Sequence, residues 1–410
     1  MIQAQKGTKD ILPQDIKTWQ MMEETALRIF NDANFSEIRT PIFEATELFA
    51  RGVGDSTDIV NKEMYSFEKA ERSITLRPEN TAGVVRAYIE NGMHRLTPPV
   101  KLWYKGPMFR YERPQAGRQR QFHQIGIEMF GAPEAICDAE CINTAVKYLK
   151  ALGLNDLTVE INSLGCPDCR ETFKNKLKEL IKPDLNKYCD DCKTRFEKNP
   201  LRILDCKNPD CIELLKKNEI QKLINTDFIC GECSEHFKQL QEYLNMLGVK
   251  YTINKQLVRG LDYYNRTVFE IKSNNLGSQN AVCGGGRYDG LVEMLGGPST
   301  PAVGWAMGME RLYSLISQTQ TAKLDVFVVS ENPAEALKLC EELRSRNISC
   351  DFDYAGRKFK KQFEKAAKLA KYAFIIGEDE IKNNQIAVKN LTTSEQTTLN
   401  HADAIKFPLS

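Results

Sequence analysis

The chain has 410 residues, of which 42% are hydrophobic and 27% are charged, and its formal net charge at pH 7 is +1. This length predicts two to four domains, and this composition is typical of a globular protein. Because the net charge is close to zero, any binding of nucleic acid must depend on local basic patches and not on a global field.

The first residues, MIQAQKGTKDILPQD, lack the apolar stretch of a secretory signal peptide. No apolar run approaches the roughly 18 residues of a transmembrane helix. Thirteen cysteines without such a signal predict reduced thiols in a reducing compartment. We therefore expect a cytoplasmic protein with no membrane partner.

The first part of the chain alternates helix and strand patterns. Apolar residues at helical spacing predict a helix over 15–33, and further helices are predicted over 79–91 and 135–152. Runs of aromatic and β-branched residues predict the strands. These strands lie at 37–40, 64–67, 74–76, 100–110, 122–130 and 157–162.

From Cys166 to about His236 the sequence is rich in Lys and Glu, helical in pattern and carries paired cysteines. Strand patterns return afterwards, and a helix is predicted over 309–318. The strands on both sides are expected to form one mostly antiparallel sheet, interrupted by a helical insertion. The returning strands lie at 249–254, 267–271 and 281–283. The predicted bounds are 1–163 for the first part of the core, 164–238 for the insertion and 239–318 for the second part.

A short polar linker, Thr319–Ala322, precedes a change of pattern. The residues from 325 to 376 alternate strand, helix, strand, helix and strand. This alternation predicts a small α/β domain with a largely parallel sheet over 323–410.

The segment Phe109–Gly131, FRYERPQAGRQRQFHQIGIEMFG, concentrates charge around a predicted loop. Guanidinium groups fork onto phosphate oxygens and stay charged at any working pH, so this density suits a polyphosphate. The alternative is a charged hairpin face in water. The arginines concerned are Arg110, Arg113, Arg118 and Arg120.

Four shorter segments also stand out, and each has a plain structural interpretation. TLRPENT at 75–81 reads as a helix start, and LVRGLDYY at 257–264 as a surface turn with half-buried tyrosines. CGGGRYDG at 283–290 reads as a tight turn or bulge, and its glycines fit neither dinucleotide-binding nor P-loop spacing. GWAMGMER at 304–311 reads as close packing of a helix on a sheet.

Together and in this order, these segments resemble the class II aminoacyl-tRNA synthetases, and specifically the histidyl-tRNA synthetase family. The helix and strand that end at Pro41 resemble motif 1, Phe109–Gly131 resembles motif 2, and Gly304–Leu312 resembles motif 3. RGLDYY and GGGRYDG resemble the two signatures particular to the histidyl enzymes. One departure is Asn80, where the family usually has glycine, and we expect asparagine to keep the turn by adopting a positive φ.

The resemblance implies an α+β catalytic domain whose antiparallel sheet is flanked by helices, interrupted by the helical cysteine-rich insertion. It implies a C-terminal α/β domain that binds the anticodon, and a homodimer formed through motif 1. The implied reaction joins L-histidine to ATP as histidyl-adenylate and then passes histidine to the 3′-terminal ribose of its tRNA. The attacking carboxylate has a pKa of about 3.5 and needs no general base, so catalysis depends on alignment and charge neutralisation.

The resemblance also implies roles for individual residues. Arg110 and Arg259 would contact the α-phosphate as the catalytic arginines. ATP, with Mg²⁺ on its phosphate oxygens, would be bound by Arg110, Glu112, Arg118 and Arg311. Histidine would be bound by Glu79, Asn80, Thr81, Arg110, Gln124, Glu128, Arg259, Tyr263 and Tyr264.

The motif 2 loop, with Arg113 and Gln115, would meet the acceptor end of tRNA. Arg120 receives no role, and His123 is interpreted as a structural residue of its strand. The segment Arg357–Lys371 carries seven basic residues against one acidic residue, a net charge of +6. This segment is either a solvated face or a phosphate-binding surface of the anticodon domain.

The insertion carries four cysteine pairs, and the resemblance does not account for them. A spacing of two residues is typical of zinc ligands, and eight thiols suffice for two Cys₄ sites with structural Zn²⁺. The alternative is a set of reduced thiols, and the spacing leaves open which pairs share an ion. The pairs are Cys166 with Cys169, Cys189 with Cys192, Cys206 with Cys211, and Cys230 with Cys233.

Two other classes of function remain to be weighed. A synthetase paralogue that regulates histidine biosynthesis would typically lack the anticodon domain and the arginine loop, yet this chain has Arg259 and residues 323–410. A non-catalytic, zinc-stabilised RNA-binding protein would not need the set of Arg110, Arg259 and Arg311.

Overall fold

The structure, a computed structural model, describes residues 1–54, 57, 59–115, 117–226, 228–273, 281–317 and 323–408. The chain forms two compact units, Met1–Thr319 and Gln320–Ser410. The predicted linker Thr319–Ala322 lies outside the described residues. Across the residues described, no helix combines the length and the apolar character needed to cross a membrane.

The strands are β1 Ser36–Glu37, β2 Phe43–Ala45, β3 Tyr65–Lys69, β4 Arg72–Leu76, β5 Val100–Phe109, β6 Gln121–Phe130, β7 Leu157–Ser163, β8 Tyr251–Ile253, β9 Asn265–Ser273, β10 Ala281–Arg287, β11 Ala302–Gly308, β12 Leu324–Val329, β13 Cys350–Phe352, β14 Ala370–Ile375, β15 Gln385–Asn390 and β16 Gln396–Asn400. The α-helices are α1 Pro13–Asp32, α2 Thr46–Val53, α3 Thr81–Glu90, α4 Ala135–Ala151, α5 Pro167–Ile181, α6 Asp190–Lys198, α7 Pro209–Leu215, α8 Asn218–Asn225, α9 Gly231–Met246, α10 Leu291–Met294, α11 Met309–Tyr313, α12 Pro333–Arg344, α13 Phe359–Leu369, α14 Glu378–Lys382 and α15 His401–Ala404. Shorter helical turns lie at Ile59–Glu63, Met93–Arg95, Lys182–Lys187 and Pro200–Asp205.

One large sheet dominates the first unit, with strand order β1-β5-β6-β11-β10-β9-β7-β8. Its inner pairs, from β5 to β7, are antiparallel, and only the pairs at the two ends are parallel. The strands before and after the insertion therefore share one sheet, as the sequence predicted.

Two features of this sheet differ from the sequence prediction. Strand β11 was not predicted, because its glycines and alanine have low β propensity and its position between β6 and β10 decides its conformation. The glycines Gly284–Gly286 were interpreted as a tight turn or a bulge. A tight turn is wrong, because they lie inside strand β10, whereas a bulge agrees with the register shift between Gly286 and Arg287 in the pairing with β9. Both strands belong to the site described below.

The two faces of the sheet have different roles. One face packs against α1, α4 and α9, where Phe30 contacts Trp103 and Trp305 at centroid distances of 5.6 and 5.7 Å. Side chains alternate along β6, so Ile125 and Ile127 enter this core and Gln124 and Glu128 point to the other face. On the other face, Tyr104 packs with Val84 and Tyr88 of α3 in a second core, beside which Gln124 and Glu128 lie.

A small sheet of order β2-β4-β3 follows the motif 1 region. It leaves three large apolar side chains exposed, namely Ile42, Phe43 and Phe67. An exposed apolar group of this kind marks a surface that can bind another protein.

The insertion lies between β7 and α9 in the sequence and has a hydrophobic core of its own. Apolar residues from α5 to α8 and from the turn at Pro200–Asp205 fill it, including Leu177, Phe196, Ile203 and Ile220. The helices are thus held together by burial as well as by any contribution of the cysteines.

The second unit contains a sheet of order β13-β12-β14-β15-β16. The first three strands are parallel and are connected by α12 and α13, as predicted. The last two strands form an antiparallel hairpin, so the expectation of a largely parallel sheet is wrong for this half. The predicted β-α-β-α-β pattern ended before these two strands.

A buried ion pair joins several elements of the first unit. Arg287 of β10 and Asp138 of α4 have no exposed side-chain surface, and their closest atoms, Nη2 and Oδ1, lie 2.5 Å apart. The hydroxyl of Thr267 in β9 donates to Asp138 Oδ2 at 2.6 Å, and Arg287 Nη1 donates to the carbonyl of Ala132 at 3.0 Å. The pair therefore fixes helix α4 against the centre of the sheet.

We expect Asp138→Ala to lower the free energy of unfolding of the first unit by about 3 kcal/mol. The buried Arg287 would lose its closest counter-charge and keep only Asp289, whose Oδ1 lies 3.1 Å from its Nη1. All three tryptophans of the chain belong to this unit, so their fluorescence during urea unfolding measures the change. As a control, Asp32→Ala at the exposed end of α1 should change it by less than about 0.5 kcal/mol. Equal effects of the two substitutions would contradict a structural role for the pair.

Candidate active site

A buried carboxyl group lies on the face of the large sheet that packs against α3. Glu128 of β6 is 1% exposed, and its Oε1 accepts a hydrogen bond from the hydroxyl of Thr81 at 2.7 Å. Its Oε2 accepts a hydrogen bond from the hydroxyl of Tyr288. The facing residue on β11 is Gly304, where a Cβ atom would lie 1.8 Å from Oε2, so only glycine leaves room for this carboxyl group.

The environment of Glu128 makes its charge adjustable. Burial, and to a lesser degree the nearby carboxylate of Glu79, raise the pKa of Glu128 to about 8, while hydrogen bonds from Tyr288 and Thr81 oppose this rise. Such a group can be protonated in the empty site and ionised when a ligand brings an N–H group or a positive charge.

Four tyrosines surround the carboxyl group, and all are buried. The ring of Tyr263 lies 4.6 Å from that of Tyr264 and 5.5 Å from that of Tyr288. The hydroxyl of Tyr104 and the Oε1 atom of Gln124 are buried and have no partner within the described residues. Buried polar atoms are rarely left unpaired, so these two atoms are suited to a polar ligand.

The side chain of Arg259 lies directly against the backbone of Gly284 in strand β10. A Cβ atom at Gly284 would be 1.9 Å from its Nη2 atom, so the glycine permits the approach. Its Nη1 atom donates to Glu270 Oε1 at 2.6 Å, whereas its buried Nε has no partner within the described residues. The guanidinium is thus oriented but retains a free donor.

The TLRPENT segment is built differently from the expectation. Asn80 has φ −119°, so the predicted positive φ is wrong and no glycine is required there. Its Oδ1 instead accepts hydrogen bonds from Thr40 at 2.6 Å and Arg77 at 3.2 Å. The buried Glu79 accepts bonds from the backbone amides of Thr81 and Ala82 at 2.7 and 3.0 Å, which satisfies the start of α3.

The arginines of motif 2 and motif 3 fall into two groups. Arg110 donates from Nε to the carbonyl of Pro78 at 2.8 Å and lies over the ring of Phe122. Arg118 bonds to Glu112 at 3.1 Å. These contacts place Arg110 beside the start of α3 and Arg118 in the outer part of the hairpin.

Arg311 completes the second group. It donates to the carbonyl of Ala281 at 2.5 Å, and its Nε would lie 3.6 Å from a Cβ atom at Gly117. Burial and then the positive charge of Arg118 lower the pKa of Arg311, because two like charges lie near each other. An anion between Arg118 and Arg311 would relieve this repulsion.

The loop of motif 2 points its predicted tRNA-binding residues outward. Arg113 and Gln115 are exposed, and the backbones of Gln115 and Arg118 pair across the loop at 2.9 and 3.1 Å. Residue 116 lies outside the described residues. The loop is therefore closed by its own backbone and has exposed side chains.

Arg120 and His123 have structural contacts. The backbone of Arg120 donates to the carbonyl of Gly7 at 2.7 Å, and its guanidinium lies 4.1 Å from the ring centroid of Tyr111. Arg120 thus attaches the N-terminal segment to motif 2, a role that the sequence did not reveal. His123 contacts Glu310 at 2.9 Å and the ring of Trp19, which agrees with its structural interpretation.

Three residues of the site were missed from the sequence. Tyr288 belongs to the GGGRYDG segment and was quoted without a role, and only the fold brings its hydroxyl to Glu128. Glu270, the partner of Arg259, pairs with Gly284 across two strands. The only sequence signal for Tyr104 was the alternation of side-chain direction along β5, which places it on the face of the site.

The eight cysteines of the insertion form two groups of four, and within each group the sulfur atoms lie within 4.8 Å of one another. The first group consists of Cys166, Cys169, Cys230 and Cys233, and the second of Cys189, Cys192, Cys206 and Cys211. The first pair along the chain thus meets the fourth, and the second pair meets the third. The structure answers the question of pairing that the sequence left open.

Backbone amides point at the sulfurs of both groups. The amide of Cys166 donates to Cys233 Sγ and that of Cys230 to Cys169 Sγ, both at 3.1 Å. In the second group the amide of Cys189 donates to Cys211 Sγ at 3.2 Å. Donors in these positions stabilise thiolates, the form in which cysteine binds a metal.

A mostly antiparallel sheet with a motif 2 hairpin, a motif 3 strand and helix, and arginines around a buried pocket is the catalytic fold of the class II aminoacyl-tRNA synthetases. The predicted fold class is confirmed. The sequence profile "Histidyl-tRNA synthetase" matches residues 7–168 and 217–312, and the profile "Anticodon binding domain" matches residues 323–409. The chain belongs to the histidyl-tRNA synthetase family, so the resemblance found in the sequence is also confirmed.

Individual relatives agree with this assignment. The histidine–tRNA ligase of Desulfitobacterium hafniense is 48% identical over 97% of this chain and 95% of its own length. That of Clostridioides difficile is 48% identical over 97% of both chains. The crystal structure of apo S. aureus histidyl-tRNA synthetase, 38% identical, covers 99% of both chains with a TM-score of 0.82.

We expect the stability of the empty protein to depend on pH through Glu128. Its pKa is raised from 4.5 to about 8, so the folded chain keeps a proton that the unfolded chain has released. The free energy of unfolding should therefore fall as pH rises through this interval, by up to about 1.4 kcal/mol per pH unit. Urea unfolding at several pH values measures this slope.

Glu128→Gln removes the contribution of Glu128 and should make the curve less steep between about pH 5 and 8. Glu79, whose pKa is also raised by burial, keeps its own contribution in this variant. Glu24→Gln, which alters an exposed carboxyl group on α1, should leave the slope as in the wild type. Parallel curves for wild type and Glu128→Gln would show that Glu128 is already ionised in the empty site.

Proposed function

We propose that the site activates L-histidine with ATP and transfers it to tRNA, as a histidine–tRNA ligase does, with the residue roles given below. The observation that supports this most is the buried Glu128, whose pKa of about 8 and tyrosine neighbours suit an imidazole ring. The family membership of the chain supplies the reaction class. The site supplies the chemistry of recognition.

Histidine is selected by polar groups that only its side chain can satisfy. Glu128 accepts a hydrogen bond from one ring nitrogen, and Tyr264 with Tyr263 faces the ring from the loop side. A side chain of similar shape without ring nitrogens would leave these buried groups unpaired, which disfavours it strongly. No separate editing site is then required.

The rest of the amino acid is held at the start of α3 and along β6. Glu79 and Thr81 bind the α-amino group, since a buried carboxylate and a hydroxyl favour an ammonium ion. Asn80 belongs to the histidine site as the residue between them. Gln124 binds the carboxylate through its amide. Its Nε2 group donates to that carboxylate. Its buried Oε1 atom, which has no partner within the described residues, can accept a hydrogen bond from an N–H or O–H group of the ligand.

In the first step a carboxylate oxygen of histidine attacks the α-phosphorus of ATP. A bond forms between that oxygen and phosphorus, the bond to the β-phosphate oxygen breaks, and pyrophosphate leaves. Arg110 and Arg259 neutralise the charge that develops on the α-phosphate, from opposite sides of the site. They also hold the histidine carboxylate against the phosphate, which supplies the alignment.

The remaining phosphates are bound by the outer arginines. Arg118 and Arg311 lie close together and bind the triphosphate tail, which carries Mg²⁺ on its oxygens as part of the substrate. Glu112 orients Arg118 through the bond of 3.1 Å. The repulsion between the two arginines in the empty protein is replaced by attraction to phosphate.

In the second step a ribose hydroxyl of tRNA attacks the histidyl carbonyl carbon. The new ester bond forms as the bond to AMP breaks, AMP leaves with the electron pair, and its phosphate takes the proton of the attacking hydroxyl. Arg113 and Gln115 contact the acceptor end from the exposed loop of motif 2.

The C-terminal unit, proposed as a domain over 323–410, binds the anticodon. Three basic residues of Arg357–Lys371 are engaged locally, because Arg357, Lys365 and Lys371 pair with aspartates. The remaining lysines are exposed and supply the phosphate contacts. They are Lys358, Lys360, Lys361 and Lys368.

Each cysteine group fits one structural zinc ion. Tetrahedral thiolates about 2.3 Å from one zinc lie roughly 3.8 Å apart. The sulfur atoms of each group lie within 4.8 Å of one another, and Cys166 Sγ lies 3.5 Å from Cys169 Sγ. In the second group Cys189 Sγ lies 3.8 Å from Cys206 Sγ. Zinc would supply stability to the insertion, proposed as a domain over 164–238 between the core segments 1–163 and 239–318. It takes no part in the reaction.

The chain is also proposed to form a homodimer and to be located in the cytoplasm. The exposed apolar side chains Ile42, Phe43 and Phe67 support a homodimer formed through the motif 1 region. Thirteen free cysteines support a cytoplasmic location, where thiols remain reduced.

The two rival functions are less well supported. A regulatory paralogue needs neither an anticodon-binding unit nor an oriented arginine over Gly284, and this chain has both. A non-catalytic RNA-binding protein would not need a buried pocket with unpaired polar atoms.

Histidine-dependent exchange of pyrophosphate into ATP tests the proposed function directly. We expect exchange in the wild type and a fall in kcat of about 100- to 1,000-fold, or about 2.7–4 kcal/mol, for Arg259→His, which loses a charged donor at the reacting centre. Arg95→His on the exposed surface serves as the control. Near wild-type exchange by Arg259→His would remove this arginine from the mechanism, and absence of exchange in folded wild type would defeat the ligase function.

We expect about two zinc ions per chain in purified protein by elemental analysis. Single substitutions Cys166→Ser or Cys233→Ser should each lose one ion, and the double substitution should still lose only one. Combining Cys166→Ser with Cys211→Ser should lose both, because these residues belong to different groups. Cys137→Ser in the core is the control, and protein without zinc would refute the metal sites.

A further inference from the structure

We propose that Arg170 and Asn199 of the insertion are positioning residues, which hold the histidine loop in the conformation that histidine binding requires. The histidine loop is defined as residues 259–264, RGLDYY. The inference rests on the proposed function, because it assigns to the insertion a role in the affinity of that same site.

Arg170 holds the backbone of the loop on both sides of Tyr263. Its Nη1 atom donates to the carbonyl of Asp262 at 2.8 Å and to the carbonyl of Tyr264 at 3.1 Å. A charged donor makes stronger hydrogen bonds than a neutral one, and here one nitrogen bridges two carbonyls. The directions of the Tyr263 and Tyr264 side chains depend on this part of the backbone.

Asn199 holds the side chain of the same loop. Its Nδ2 atom donates to Asp262 Oδ1 at 2.6 Å, and the residue is 6% exposed. On the opposite side, a Cβ atom at Gly54 would lie 2.8 Å from Asp262 Oδ2. Asp262 is thus held between the insertion and the end of α2.

Each of these contacts is attached to a different cysteine group. Arg170 follows Cys169 directly in the first turn of α5. Asn199 ends α6, which begins next to Cys189, and it precedes the turn that leads to Cys206. The two cysteine groups therefore each fix the base of one arm that reaches the histidine loop.

These arms come from a part of the chain that the family profile does not match. The match to histidyl-tRNA synthetases stops at residue 168 and resumes at residue 217. Arg170 and Asn199 both lie between these positions. Both residues therefore lie outside the sequence motifs named above.

Pyrophosphate exchange with separate titrations of histidine and ATP tests the proposal. We expect Arg170→Ala to raise the KM for histidine about tenfold, equivalent to about 1.4 kcal/mol. The KM for ATP should stay within about twofold, because Arg110, Arg118 and Arg311 lie on other elements. Arg259 belongs to the histidine loop and acts on the α-phosphate, so a displacement of Arg259 would change kcat instead. Arg170→Lys, which keeps a charged donor, should recover part of the affinity.

Lys174→Ala is the matched control for Arg170→Ala. Lys174 lies one turn further along α5, and its side chain bonds to Glu171 of the same helix. This substitution should leave both KM values unchanged. The zinc content and the thermal midpoint of each variant are measured alongside, so that general loss of folding is recognised.

An exchange of charges tests Asn199 independently. Asn199→Asp places a carboxylate against Asp262 and should raise the KM for histidine at least tenfold, by repulsion. Adding Asp262→Asn restores an amide facing a carboxylate and should return the KM to within about threefold of wild type. A residue that only stabilises the insertion would change the thermal midpoint without this selective rescue.

The outcomes separate the inference from the proposed function. Wild-type exchange with an unchanged KM for histidine in Arg170→Ala and Asn199→Asp would overturn the inference alone. A parallel loss of both affinities, kcat and thermal midpoint would also overturn it, in favour of a structural role. Absence of exchange in the wild type would overturn both.

Discussion

The buried carboxyl group of Glu128 is the interaction around which the site is arranged. It joins β6 to the start of α3 through Thr81 and to the segment after β10 through Tyr288. Burying a carboxylate without a partner is strongly unfavourable, so the empty protein either keeps a proton there or surrounds the group with donors. The raised pKa shows that it does both in part. A ligand with an N–H group therefore completes an arrangement that is unfinished without it.

This arrangement imposes a constraint on the neighbouring strands. Gly304 and Gly284 lie where any side chain would collide with Glu128 and with Arg259, respectively. The same residues weaken the strands locally, because glycine has low β propensity and fills no core. Packing of α1, α4 and α9 on the opposite face compensates for this, and the Asp138–Arg287 pair fixes α4 there. The packing of that face thus supports strands that carry glycines on the face of the site.

Whether a feature could be predicted from the sequence depends on how far apart in the chain the interacting residues lie. Strand alternation correctly places Gln124 and Glu128 on one face, because that periodicity is local. The conformation of Asn80 could not be read locally, since Thr40 and Arg77 determine its hydrogen bonds. Strand β11 was missed because its neighbours, not its residues, define it.

The pairing of the cysteine groups and the role of Arg120 depend on longer separations. Cys166 meets Cys233 across 67 residues, and Arg120 bonds to a segment more than a hundred residues earlier. Spacing within one pair contains no information on such contacts. The family motifs predicted the site residues as a set, whereas contacts such as Tyr288 to Glu128 and Glu270 to Arg259 required the fold.

The nested order of the cysteine groups has a consequence for how such an insertion can be acquired. Its two ends meet at one cysteine group, where the amide of Cys166 contacts Cys233 Sγ, and β7 still pairs with β8 directly. A segment whose ends are adjacent can be lengthened, shortened or exchanged with little effect on the host sheet. The insertion could therefore be exchanged as a unit without changing the large sheet. A transplant would, however, also replace Arg170 and Asn199, and with them the hydrogen bonds that hold Asp262.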